Sequence, residues 1–587
     1  MTGSAGLADA RRAALARTSR VVTTTGLSAV AVVFALLAWQ RRWITDDALI
    51  IVRVVRQILA GAGPVFNAGE RAEPHTSTLW TWLVAGAADV TQADVARIAV
   101  ALGGALSVLG LVVAMDATRR WVRGRGETAP LVPCAAVVML GMFPFWDFAT
   151  SGLETGLTTF WLAACWWLLV VLRLRPREPA TGDAVGGPRG PLIVAAVFGL
   201  GPLVRPELAV ASAGFLAGGY ALTRPRRRAA LALAGAAIAL PLGYEIARAG
   251  YYGTLVPLPA LVKSASGTEW VRGVRYVWHF VHPYTLWVPG AVLVTLFGIA
   301  LARRAWSGGD RIVVAVPIAI GLVLILYTVR VGGDFMHARM LLAPTFILVA
   351  PALVIPLRRA TAPALAIVAG WALVTASSVR GYPGFSWYGD WDERASYVRF
   401  TGDNHPLDTR SFLQADPATA SYRAARDAGL PPQLIWDGNG ARVPLGPEIH
   451  APVVVAAGRL GTAGAVVPLD GLVADLLGLA NPLGARITRT HPGRTGHEKQ
   501  LPWAWLLAEF ADPALTDQPF DPATTPDAIR AARHALTCGA LAELRAATRD
   551  PLSIARFWAN LTGAIERTRL VIPADPIAAE RAFCPPP

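Results

Sequence analysis

Two adjacent carboxylates, Asp46 and Asp47, follow the first strongly apolar run of the chain, in the stretch WITDDALIIVRVVRQILAGAGPVFNAGERAEPHTSTLW (43–80). A carboxylate so placed can take a proton from an attacking hydroxyl or stabilise a developing positive charge. The plain alternative is that both are first-turn acids of a helix over 46–60, where Thr45 is a good N-cap and negative charge suits the helix dipole. At helical spacing Asp46 lies nearer Ile50, Arg53 and Gln57, while Asp47 shares an apolar face with Ile51, Val54 and Ile58. A carboxylate on a membrane-facing side is costly unless it lines a wet cavity, which favours the chemical reading.

Further charges recur at the ends of other apolar runs. Ser151-Gly152-Leu153-Glu154 opens one, Arg205-Pro206-Glu207 sits at a tight turn, and Lys263 follows YYGTLVPLPALV. Gly332-Gly333-Asp334-Phe335-Met336-His337-Ala338-Arg339 opens another, and Glu73 and His75 lie in the loop after the helix over 46–60. Any one of these could be a snorkelling or helix-end charge. Together they make a cavity set: Arg205, Lys263, His337 and Arg339 to hold a phosphate, with Arg53, Glu73, His75, Glu154, Glu207 and Asp334 around it. Such a set suits a lipid-phosphate sugar donor, whose phosphate leaves readily without a general acid. There is no Walker loop, CxxC or HExxH, and the His-Glu of GHEK (496–499) has no second ligand at zinc spacing, so no metal or cofactor is expected. A divalent cation held by the acid pair stays an open alternative.

The elements that must position these residues follow from composition. The 587 residues are 54% hydrophobic, with runs of 17–25 apolar residues through the first two thirds, so the chain reads as a polytopic α-helical membrane protein. Eleven transmembrane helices are placed at about 20–39, 95–117, 130–146, 155–173, 191–204, 207–223, 229–247, 285–302, 311–329, 340–357 and 361–379. The net charge of +14 resolves into 34 basic against 18 acidic residues before Arg380, and 20 against 22 from it onward. That excess sits in short arginine loops, which marks topology and not a nucleic-acid surface.

The basic N-terminus (Arg11, Arg12, Arg17, Arg20) leads into an uncleaved span and is read as cytoplasmic, in the plasma (inner) membrane. The acid pair and residues 380–587 then fall on the extracytoplasmic side. The helix over 46–60 and the apolar stretch 76–90, with Trp80 and Trp82, are read as interfacial helices lying on the membrane. Residues 1–379 form the membrane catalytic domain. Residues 380–587 form an extracytoplasmic α/β domain, with strands in PVVVAAGRLG and GAVVPLDGLV and helices over 527–549 and 552–570. Cys538 and Cys584 in that domain are a disulfide candidate, two free thiols being the alternative. The oligomeric state is not assigned.

The acid pair after the first span, GPVFNAGERAE (63–73) and TSTLW (76–80) resemble the GT-C superfamily of polyprenyl-phosphate-sugar glycosyltransferases. SGLET (151–155), VRPE (204–207), GGDFMHAR (332–339), VPLDGLVADLLGLANPLGAR (467–486) and GHEKQLPW (496–503) narrow the resemblance to the actinobacterial terminal β-(1→2)-arabinofuranosyltransferases, the AftB family. His75 and Thr78 depart from that pattern, which usually has an aromatic residue and a proline there. The resemblance implies a GT-C fold and a decaprenyl-phosphoryl arabinofuranose donor. It also implies an acceptor at the ends of arabinan in arabinogalactan or lipoarabinomannan, and catalytic roles for Asp46 and Asp47. A β-linked donor giving a β-linked product means net retention, by a carboxylate nucleophile or by reaction on one face. Another polyprenyl-phosphate sugar such as mannose, a lipid or solute transporter, and a cell-wall scaffold are the alternatives.

Overall fold

The computed structural model describes residues 3–175, 189–263, 268–303, 306–379, 392–413, 417–493, 495–515 and 519–585. Side chains are described from residue 13 onward, and most of the arginine loop 173–190 lies outside the described residues. Five helices are long and apolar enough to cross a bilayer: Ala13–Gln40, Val95–Gly124, Thr155–Leu174, Arg227–Tyr252 and Gly308–Val331. Four shorter apolar helices accompany them, at Gly190–Gly199, Trp287–Ala302, Arg339–Ala352 and Ala362–Ser378. The chain is therefore a multi-pass helical membrane protein. Its contacts divide into two compact units, one of Met1–Arg42, Ala101–Pro241 and Trp270–Asp392, the other of Trp43–Val100, Leu242–Glu269 and Glu393–Pro587.

In the first unit, the span expected at 130–146 is not one helix. Strand β1 (Leu131–Pro133) is followed by two short helices, Ala135–Leu140 and Phe143–Asp147. β1 pairs antiparallel with β2 (Val354–Pro356), Leu131 opposite Pro356 and Pro133 opposite Val354. Prolines at 130, 133 and 144 remove helical N–H donors, so the backbone here finds partners across the strand pair. The expected span 340–357 likewise stops being α-helical at Val349 and ends in β2. Gly199 shows how closely the short helix Gly190–Gly199 approaches the long helix Arg227–Tyr252. A Cβ there would lie 2.0 Å from the Ala237 carbonyl oxygen, a helix contact that only glycine permits.

The second unit is an α/β layer structure. Strands β3 (Gln433–Trp436), β4 (Arg442–Pro444), β5 (Val453–Ala457) and β6 (Leu472–Asp475) make one sheet in the order β4-β3-β5-β6. β3, β5 and β6 run parallel and β4 is antiparallel at the edge. Side-chain alternation sorts the sheet into two faces. Val454 and Ala456 join Trp505, Leu506, Phe510 and Leu541 on one side. Val453, Val455 and Ala457 join Leu460, Ala463, Ile50, Val54 and Phe66 on the other. A sheet buried on both faces is what near-continuous apolar strands such as PVVVAA require.

That second cluster corrects one expectation. The helix Asp46–Leu59 does not lie on a membrane, because Ile50, Ile51, Val52, Val54 and Val55 are all buried and the helix covers one face of the sheet. In the following helix, Thr78–Thr91, Trp80 is fully buried and Trp82 is exposed. The expected helix 527–549 is two, Pro526–Ala535 and Gly539–Arg549, broken at Thr537-Cys538.

Candidate active site

Thr45 caps the helix Asp46–Leu59, its hydroxyl accepting from the Ala48 N–H at 2.9 Å, and so places both carboxylates in the first turn. Asp46 then turns to a distant partner. Its Oδ2 accepts from the Gly461 N–H at 3.0 Å, and its Oδ1 accepts from the Thr462 N–H at 2.7 Å and the Thr462 hydroxyl at 2.8 Å. These N–H groups begin the helix Leu460–Val466, whose own N-cap residue, Arg459, makes no side-chain cap. Asp46 supplies that cap from another part of the chain, a carboxylate held at a helix N-terminus. Burial pushes the Asp46 carboxyl upward, the bonds from Gly461 and Thr462 hold it down, and the charge of Asp47 adds a further upward push. The Asp46 N–H in turn donates to Glu393 Oε1 at 3.0 Å. Asp47, half-buried in the same turn, occupies a separate position.

Arg53 is not a cavity residue. Its side chain is fully buried, and its five N–H groups go to five backbone carbonyls: Nε to Phe66, Nη1 to Gly464 and Val467, Nη2 to Pro468 and Gly471. Burial lowers its guanidinium to about 9, and no N–H is left for a substrate. One helix stripe, Asp46, Ile50, Arg53, Val54 and Gln57, thus clamps residues 460–471, with Gln57 donating to the Leu469 carbonyl at 2.9 Å. Replacing Arg53 with Lys keeps the charge but gives three donors where five carbonyls need them. The expected cost is about 3 kcal/mol or more, read as a drop in the unfolding temperature of the purified chain.

Glu73 is also removed from the cavity set. Its side chain is 0% exposed and is held by Arg248, Nε to Oε2 at 2.7 Å, and by the Tyr244 hydroxyl at 2.7 Å. A buried, hydrogen-bonded ion pair fixes the loop and leaves no oxygen facing a ligand. His75, two residues on, is buried in the same unit. Lys263 ends the helix Leu258–Lys263, half-buried, where a Cβ on Gly496 would come 3.7 Å from its Cγ and Cε. The other lysine of the chain, Lys499, belongs to the same loop and donates to the carbonyls of Ala485 at 2.6 Å and Leu261 at 3.2 Å. Burial, helped by nearby Arg486, lowers its ammonium to about 8.

In the first unit, Glu154, Arg205, Glu207 and Arg339 line a cavity of about 40 Å³ with Thr155, Thr158 and Tyr327. Arg205 is paired with both Glu154 and Glu207, and Arg339 with Asp334. Three carboxylates thus face two guanidinium groups, an arrangement that orients the arginines without surplus positive charge. The Thr158 hydroxyl is buried there with no partner among the described residues, which suits an ordered water. His337 does not line this cavity. It stacks on Phe143 at 5.8 Å, with the Tyr284 hydroxyl 3.2 Å from its Nε2.

Sequence reading missed Gly461, Thr462, Glu393, Arg248 and Tyr244, which hold Asp46 and Glu73 in place. One signal was present. The run VVVAAGRLGTAG is a strand, a glycine turn and a helix start, the usual setting for a bound anion. Here the anion is a side chain of the same protein.

Cys538 and Cys584 form a disulfide, S–S 2.07 Å, across a separation of 46 residues. Closing a loop of that length stabilises by about 4 kcal/mol in the chain-entropy account, so Cys538→Ser should lower the unfolding temperature by a margin that reduction of the native protein reproduces. Among the described residues, the grouping at metal-ligand spacing is His534 with these two cysteines, whose sulfurs are already spent in the S–S bond. It does not fit a metal site.

Residues 437–580 match the model of the AftB family C-terminal domain. A terminal β-(1→2)-arabinofuranosyltransferase of Mycobacterium tuberculosis is 36% identical, over 95% of this chain and 96% of its own length. Its namesake from Corynebacterium glutamicum is 35% identical, over 97% of this chain and 89% of its own. The crystal structure of ArnT from Cupriavidus metallidurans bound to undecaprenyl phosphate is similar at a TM-score of 0.35 and 18% identity, covering 68% of this chain and 64% of that one. With the identity extending through both units, the chain belongs to the AftB family of terminal β-(1→2)-arabinofuranosyltransferases.

Proposed function

We propose that the chain moves arabinofuranose from decaprenyl-phosphoryl arabinofuranose to the ends of cell-wall arabinan, in arabinogalactan or lipoarabinomannan, forming a terminal β-(1→2) linkage. The observation that carries this reading is the 36% identity over 95% of the chain to a relative named for that activity. The membrane part takes the GT-C fold, and the acid pair and residues 380–587 lie on the extracytoplasmic side. The arginine loops and the Cys538–Cys584 disulfide support that orientation.

Asp46 is the positioning residue, since its two oxygens already accept three hydrogen bonds. Asp47 is assigned the reacting role at the anomeric carbon or the acceptor hydroxyl. Lys263, in the unit that carries Asp47, is the cation proposed for the departing phosphate. Net retention needs either a glycosyl ester on Asp47, displaced by the acceptor hydroxyl, or attack on the leaving face. Mass spectrometry of quenched enzyme for a pentose on Asp47 separates the two.

The test of the whole reading is transfer by the purified chain from labelled polyprenyl-phosphate arabinofuranose and, separately, polyprenyl-phosphate mannose, onto a synthetic arabinofuranosyl oligosaccharide. Pentose transfer with a new β-(1→2) linkage, unaffected by chelator, is expected. Transfer of the hexose alone would replace the donor assignment, and unchanged cellular glycan in an Asp46→Asn/Asp47→Asn double variant would favour a transporter.

A further inference from the structure

A groove of about 530 Å³ runs between the helices Gly3–Gln40 and Val95–Gly124, and none of the candidate site residues lines it. Its walls are apolar along Leu27, Ala31, Val32, Val112 and Met115, and its mouth carries Arg20, Arg119 and Arg123 with Asp116. The lining from Arg20 to Val32 covers about 18 Å of helix, close to the depth of one leaflet. The charge at the mouth is not cancelled. Asp116 is already shared by Arg119, Arg120 and the Trp167 indole N–H, so the lining sets three guanidinium groups against one satisfied carboxylate. Arg123 is held in place by the Glu127 carbonyl and the Ser19 hydroxyl, and Arg20 is exposed.

A basic mouth on a one-leaflet apolar slot matches a lipid with a phosphate head and acyl tail. We propose that this groove is a binding site for an anionic phospholipid of the leaflet at the arginine-bearing end, the cytoplasmic leaflet in the orientation proposed above. Lipid phosphate is met by Arg20, Arg119 and Arg123, and an acyl chain lies along Leu27, Val32 and Val112. The volume is that of an ordinary ligand site, and arginines near a membrane surface favour anionic over zwitterionic lipid.

The test uses the full chain purified in detergent and titrated with phosphatidylinositol or phosphatidylcholine of the same acyl composition, bound lipid being counted by native mass spectrometry. The wild type should retain phosphatidylinositol preferentially. Each arginine replaced should lower that preference roughly 5-fold, so Arg20→Gln/Arg119→Gln nearly removes it. Arg20→Lys/Arg119→Lys should keep most of it and controls for folding. Val112→Trp fills the slot without changing charge and should reduce binding of both lipids. Equal retention of the two lipids by the wild type, or unchanged preference in the Gln pair, overturns the proposal. So does displacement of bound phospholipid by stoichiometric decaprenyl phosphate, which would make the occupant a carrier lipid.

Discussion

Asp47→Asn is expected to cut transfer on the order of 10²–10⁴-fold and to lower the unfolding temperature less than Asp46→Asn does. Asp46→Asn should lower both. The difference follows from where the two carboxylates sit. Asp46 has three donors pointed at it, two from the start of the helix Leu460–Val466 and one from the Thr462 hydroxyl. An amide at that position keeps one accepting oxygen and turns an NH₂ toward another donor. The orphaned N–H costs about 1–3 kcal/mol, and the sheet-side helix loosens with it. Asp47 belongs to the same turn but is not part of that cap, so its amide leaves the N–H groups of Gly461 and Thr462 satisfied. Initial rates with a labelled donor, taken beside thermal unfolding of the same preparations, read both effects. A stable, inactive Asp46→Asn beside an active Asp47→Asn would exchange the two roles.

The second large effect is expected from a methyl group. A Cβ on Gly461 would lie 1.8 Å from the Asp46 backbone oxygen, a contact between two main chains that no side-chain rotation relieves. Gly461→Ala should therefore part the helix Asp46–Leu59 from the helix Leu460–Val466, at about 3 kcal/mol or more, and abolish transfer. Gly458→Ala, three residues earlier and just before that helix, is the matched control, because nothing lies within 4 Å of its added Cβ. Limited proteolysis should expose new sites within 393–587 in the first variant and not in the second. If Gly461→Ala proved as stable as Gly458→Ala, the close docking of the two helices would be wrong.

What the residues alone disclose divides by distance along the chain. The long apolar runs, the acid pair behind its Thr45 cap and the buried strand VVVAA are local patterns, and the physics that sets them acts over a few residues. The breaks at Pro133 and Pro144 were local too, yet the apolar count over 130–146 outweighed them. The purpose of Asp46 was not local. Its partners are 415 and 416 positions away, and nothing in the composition near residue 46 points to them. Arg53 misled for the same reason. A lone arginine near two acids suggests a ligand site, whereas here its partners are the Phe66 carbonyl, 13 positions on, and four carbonyls 411–418 positions away. Glu73 and Arg248 repeat the lesson, paired across 175 positions.

The capping of one helix by a carboxylate 415 residues upstream also has a consequence for biosynthesis. At about 5–20 residues per second, the segment bearing Asp46 leaves the ribosome roughly 20–80 s before Gly461 is made. Throughout that interval Ile50, Val54 and Phe66 have no sheet to cover, and the acid pair has no fixed geometry. Completion of the reacting corner is therefore tied to completion of the chain. A truncated or stalled product would carry both aspartates and every long membrane helix, yet lack the N–H groups that hold Asp46 in place.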